Sequence, residues 1–137
     1  MDLVTKLLAV IEETEWAARG ATPGPWAATF EGAADAIDGE DEGRWELHSP
    51  NEYVRVSADM IWPDDIHHIA HNDPHTVLRR CAADRKLVEL HRGRHECPSG
   101  EGHPTSGYAW FGDDEAPWCT TLHLLADGYN IKVAEDD

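Results

Sequence analysis

His91, His95, Cys97, His103 and Cys119 bring together, in the last third of the chain, the side chains that most often bind a transition metal. Zinc takes four nitrogen or sulfur ligands in a tetrahedral shell, and small domains use it to tie a long loop to the helices on either side. The spacing suits that task. His91 closes a predicted helix, His95, Cys97 and His103 fall in the segment after it, and Cys119 opens the next helix. A helix N-terminus favours thiolate over thiol, which helps a cysteine placed there to bind metal. No CxxC pair is present, so the residue types alone leave two readings open: a metal cluster, or core cysteines beside solvated histidines.

The remaining chemistry-bearing residues point less sharply. His67 and His71 are four positions apart and His68 and His75 lie close by, but Ile69-Ala70 fills the interval where an HExxH motif would carry glutamate. This group reads as surface or capping histidines. Cys81, among Val77, Leu78, Ala82 and Val88, reads as a small buried hydrophobe. The six tryptophans read as cover for a thin core, since a stacking surface for nucleic acid would need basic residues to hold the backbone. GxSxG, P-loop, GxGxxG and HxE…PCxxC patterns are all missing, so no catalytic residue and no organic cofactor is assigned.

Several elements must position these side chains. Residues 2–19 place Leu3, Val4, Leu7, Leu8, Ile11 and Ala17 or Ala18 at helical spacing, and Gly20 with Pro23-Gly24-Pro25 ends the helix. Strands are expected at Trp26–Phe30, Arg44–His48 and Tyr53–Ser57, with a loop from Glu31 to Gly43 and a turn at Ser49-Pro50-Asn51-Glu52. Asp64 to His71 reads as a short helix or turn. Asp73 is suited to cap, and Pro74 to open, a helix running through Thr76 to His91; His91 falls on the Val77/Val88 face at its end. From Arg94 to Trp118 there is no periodicity, and a loop of that length needs something to fix it. A last helix is expected from Pro117 to Tyr129 with Leu122, Leu125 and Ala126 inward, then an acidic tail with a candidate strand at Ile131–Val133. The class is therefore α+β, a single domain over residues 1–137: an N-terminal helix, a small antiparallel sheet, a long central helix, and a loop pinned by zinc to a C-terminal helix.

Charge narrows the partners. Eleven basic residues face 27 acidic ones, a formal net charge of −16, and such a field repels phosphate backbones and anionic lipid. The acids recur along the whole chain, so they surround a fold and do not form a detachable arm. Direct nucleic-acid and membrane binding are disfavoured, and no stretch approaches the ~18 apolar residues of a span. The N-terminus lacks the basic start and apolar run of a signal peptide. Three cysteines, an odd number, do not fit a secreted disulfide framework, so a reducing cytoplasm is the expected compartment.

One resemblance adds to this reading. His68-Ile69-Ala70-His71-Asn72-Asp73-Pro74, Val77-Leu78-Arg79, Lys86 to His91, His95-Glu96-Cys97, Trp110 and Cys119-Thr120-Thr121-Leu122 through Ala126 resemble a family of small uncharacterised proteins of actinobacteria and their phages, carried as a domain of unknown function. The resemblance implies a structural metal site on His91, Cys97 and Cys119. Relatives often carry a further cysteine where this chain has Ala109, so the fourth ligand stays open between His95 and His103. Relatives also end in a longer tail, replaced here by residues 130–137. The expected function is a small acidic non-enzymatic accessory protein, phage-encoded, that binds a host or phage protein. The alternatives are a metal-dependent enzyme with an open site at His91, Cys97 and Cys119, and an acidic DNA mimic acting on a DNA-binding protein. The sequence leaves the oligomeric state open.

Overall fold

A computed structural model describes residues 2–31, 44–49, 57–58, 62–98, 108–111 and 119–133. Among these residues the chain is α+β, with four helices and two small antiparallel sheets. In chain order they are α1 (Leu3–Gly20), β1 (Ala27–Glu31), β2 (Arg44–His48), β3 (Ser57–Ala58), α2 (Pro63–His71), α3 (Pro74–His91), β4 (His95–Pro98), β5 (Tyr108–Phe111) and α4 (Thr120–Gly128). No described helix is long and apolar enough to cross a membrane. The elements fall into two compact units, one of residues 1–15 and 80–137, the other of residues 16–79.

In the unit of residues 16–79, β1, β2 and β3 form an antiparallel sheet in that order. The register pairs Phe30 with Trp45 and Ala28 with Leu47. Side chains alternate across a strand, so these four share one face. That face packs on α2: Leu47 and Ile66 are buried together, with Trp26, Ala28, Trp45, Ile69 and Ala70 around them. Phe30 and Trp45 lie with ring centroids 5.4 Å apart, and Trp45 meets His67 edge-on at 5.3 Å. The segment expected as helix or turn is thus a helix. Pro63 stands in its first turn beside Asp64 and Asp65, which complement the helix dipole.

Asp73 joins this sheet to α3. Its Oδ1 accepts from the Thr76 N–H at 2.7 Å, the expected cap, while Oδ2 accepts from the Trp26 N–H at 2.8 Å. Burial by itself would raise this carboxyl; the Thr76 and Trp26 donors outweigh it and hold Asp73 below its ordinary value. Gly24 comes so close to this cap that a Cβ there would lie 2.9 Å from Asp73 Oδ2 and 3.0 Å from His75 Cβ.

In the unit of residues 1–15 and 80–137, Leu3, Val4, Leu7 and Ile11 of α1 are buried at the expected helical spacing. Asp2 caps the helix by accepting the Thr5 N–H at 2.9 Å. Cys81 and Val88 of α3 are buried, as are Leu122 and Ala126 of α4. Glu15, also buried, pairs with Arg85 at 2.8 Å. The Tyr129 hydroxyl donates to Asp84 Oδ2 at 2.7 Å.

Three expectations are corrected. The stretch from Arg94 to Trp118, expected to lack regular structure, contains an antiparallel ribbon of β4 and β5 pairing His95 with Phe111 and Cys97 with Ala109. Residues 131–133 form no strand. Instead Asn130 turns left-handed at φ 55°, its N–H bonds to the Asp127 carbonyl, and the Ile131 N–H bonds to the Ala126 carbonyl, closing α4 in a Schellman motif. The tryptophans divide: Trp26 and Trp45 cover the core, whereas Trp16, Trp62 and Trp110 are exposed. The expected loop from Glu31 to Gly43, the turn after Ser49 and most of the third strand lie outside the described residues.

Candidate metal centre

Three adjacent pieces of backbone deliver the candidate ligands. His91 is the last residue of α3. The Arg92 N–H still bonds to the Val88 carbonyl, after which Gly93, at φ 74°, turns the chain out of the helix and into β4. A side chain at that φ would be strained, which accounts for glycine. His95 and Cys97 are two apart in β4 and so point to the same side of the ribbon. Phe111, paired with His95 and fully buried, stands beside them, its ring 6.0 Å from the imidazole. Cys119 is the N-cap residue of α4 and makes no side-chain capping bond, leaving its sulfur free to face the other ligands.

The four side chains meet. Cys97 Sγ and Cys119 Sγ are 3.3 Å apart, His95 Nε2 lies 3.3 Å from Cys119 Sγ and 3.4 Å from Cys97 Sγ, and His91 Nδ1 lies 3.5 Å from Cys119 Sγ. All four ligand-type atoms fall within 4.8 Å of one another. Around a tetrahedral zinc with bonds of ~2.0–2.3 Å, neighbouring ligand atoms stand about 3.4–3.8 Å apart; the four contacts above match that spacing, and the remaining pairs, within 4.8 Å, would close by about 1 Å around an ion. Both cysteines are buried and not disulfide-bonded, and both histidines are half-buried.

One imidazole tautomer is fixed by its hydrogen bond. His95 Nδ1 lies 2.8 Å from the Gly93 carbonyl oxygen, which can only accept. Nδ1 therefore carries the proton, and the lone pair sits on Nε2, the atom facing both sulfurs. A histidine ligand is commonly oriented by a carbonyl in this way. Burial, and then the neighbouring His95, push His91 below its ordinary value and keep it neutral. Burial and the Cys119 thiol push Cys97 up to about 12, opposed by the backbone N–H of Thr120. A bound cation reverses that balance, because its charge compensates the buried sulfurs and deprotonates them.

Against the sequence reading, the structure brings together His91, His95, Cys97 and Cys119 in one group that could hold a metal. His103 lies outside the described residues. Ala109, where the resemblance directs attention to another cysteine, pairs with Cys97 in the ribbon. The alternation His95-Glu96-Cys97 was the available signal for β4, because it puts two ligand types on one strand face. The ribbon's other face carries Trp110 of β5, exposed and lying under the Arg94 guanidinium at 5.2 Å. His67, His68, His71 and His75 are exposed and form no metal-sized group with each other. Cys81 is buried as expected, and burial raises its thiol.

Neither curated proteins nor solved structures offer a match. A model of the family DUF6221, described as a family of unknown function, matches residues 1–132. The chain belongs to that family.

Proposed function

We propose that this protein is a non-enzymatic binding module whose ribbon and last helix are fastened by a structural zinc ion held by His91, His95, Cys97 and Cys119. The observation that carries this reading is the convergence of four donor atoms, two nitrogens and two sulfurs, within 4.8 Å. Borderline-soft N/S donors in a compact tetrahedral group favour zinc over harder divalent ions. A shell with four protein ligands leaves no position for water or substrate, which marks a structural site; the open three-ligand enzyme site would require His95 to be elsewhere. The net charge of −16 supports a basic protein partner over nucleic acid or anionic lipid. A reducing cytoplasm is the compartment in which both thiols stay available. With the resemblance stated above, this favours an accessory role on a host or phage protein in an actinobacterial cell.

The test is metal content of untagged protein, with Cys97→Ser and Cys119→Ser. One zinc per chain, lost in both variants along with thermal stability, is the expected result. Metal-free protein with variants as stable as the parent would return the cluster to coincidence. Cobalt substitution gives a second readout: tetrahedral visible bands with sulfur-to-metal charge transfer are expected, and octahedral spectra would contradict the ligand set. For the partner, capture from actinobacterial lysate should yield a basic protein released by salt. Repeated capture of nothing would remove this part of the reading.

A further inference from the structure

We infer that Cys97 and Cys119 form a peroxide-responsive pair whose oxidation to a disulfide releases the metal and keeps β4 tied to α4; this rests on the zinc reading above. The two sulfurs are 3.3 Å apart although the residues are 22 positions apart in the chain. A disulfide needs ~2.05 Å, so a further approach of about 1.3 Å closes the bond, within reach of side-chain rotation. These are the site's only sulfurs, the other two donors being the histidines. Losing both leaves an imidazole pair that cannot hold zinc by itself.

The chemistry balances with hydrogen peroxide as the oxidant. A Cys97 thiolate attacks one peroxide oxygen, the S–O bond forms as the O–O bond breaks, and the departing hydroxide takes a proton from a buffer acid and leaves as water. Cys119 sulfur, already adjacent, then attacks the sulfenic sulfur; the S–S bond forms as the S–O bond breaks, and a second water leaves with a second proton. Two sulfurs lose two electrons, peroxide gains them, and the zinc departs as the dication. A resolving sulfur at contact distance favours this course over sulfinic acid, which forms where no second thiol waits. Cys81 does not compete: it is buried ten positions before His91 on the same helix, about 15 Å along the axis.

The experiment uses the zinc-loaded full chain and its Cys81→Ser variant, treated with hydrogen peroxide alongside metal-free protein. Zinc release is read with a chromogenic chelator, and thiols by alkylation and intact mass. The expected result is one zinc released per chain, with loss of two alkylatable thiols in a monomer, equally in both proteins. Peptide mapping should place the bond between Cys97 and Cys119, and dithiothreitol should restore thiols and zinc uptake. Retention of zinc under peroxide that oxidises the metal-free pair would overturn the inference, as would release accompanied by sulfinic acid or intermolecular disulfides. Those outcomes leave the structural-zinc reading standing. Absence of zinc from the untreated protein would instead remove the structural-zinc reading, whatever the thiols do.

Discussion

Gly93 has no side chain at the site, yet it sets the site in two ways. Its left-handed φ lets the chain leave α3 immediately after His91, and its carbonyl fixes the His95 tautomer. Gly93→Ala is therefore expected to destabilise the fold by about 1 kcal/mol, the ordinary difference for a residue held at positive φ. The alanine keeps the backbone carbonyl that accepts from His95, so its effect is on the turn and not on that partner. Chemical denaturation checks the cost, and unchanged stability would show that the left-handed turn at position 93 is not strained by a side chain. Ligand types were visible in the sequence as a set of five. Placing His95 beside Cys97 depended on strand geometry, because residues two apart in β4 share a face.

At the scale of elements, Asp73 links the start of α3 to the backbone ahead of β1. Asp73→Ala removes a cap and strands the Trp26 N–H, and should cost about 2 kcal/mol by chemical denaturation. Its pH dependence has a definite sign. The folded carboxyl titrates below its ordinary 3.8, so its contribution is complete above that value and is lost as pH falls through the lower folded one. Asp73→Asn, which retains one acceptor, should flatten this acid limb relative to the parent; parallel curves below pH 4 would refute the assignment. Gly24→Ala should destabilise the same junction, since the added Cβ meets Asp73 and His75. The helices were legible because each has a punctuated start and a long apolar period: Asp73-Pro74 for α3, and Leu3 to Ile11 for α1. The ribbon was not, because β4 (HECP) has little strand preference and the aromatic β5 (YAWF) is only four residues long, so both form by pairing across an intervening segment.

For the whole molecule, charge and, on the zinc reading, bound metal bear on the stability. If zinc is bound at a concentration ~1,000 times its dissociation constant, it adds about 4 kcal/mol to the folded state. Chelation should accordingly lower the melting temperature by several degrees and speed amide exchange in β4 and β5 before α1. Uniform exchange throughout would mean that the ion does not fasten the ribbon. The charge of −16 acts in the opposite sense, through self-repulsion, so raising salt at neutral pH should stabilise the zinc-loaded protein as the repulsion is screened. A melting temperature that falls with salt would point to a few specific ion pairs, such as Glu15–Arg85, as the dominant charge effect.

The sequence by itself determined the α+β class, the bounds of α1 and α3 to within a residue or two, β2, and the residues able to ligate metal. These follow from local periodicity, capping chemistry and side-chain type, all written in neighbouring positions. Only the tertiary structure decided that His91, His95, Cys97 and Cys119 meet within one coordination shell, and that Asn130 closes α4 where a strand was expected. The first depends on pairing between segments many positions apart, and the second on a local turn at Asn130 that side-chain alternation does not announce. The His91–Cys119 stretch became a candidate metal centre because a ribbon turns His95 and Cys97 to one side and a helix start brings Cys119 to meet them.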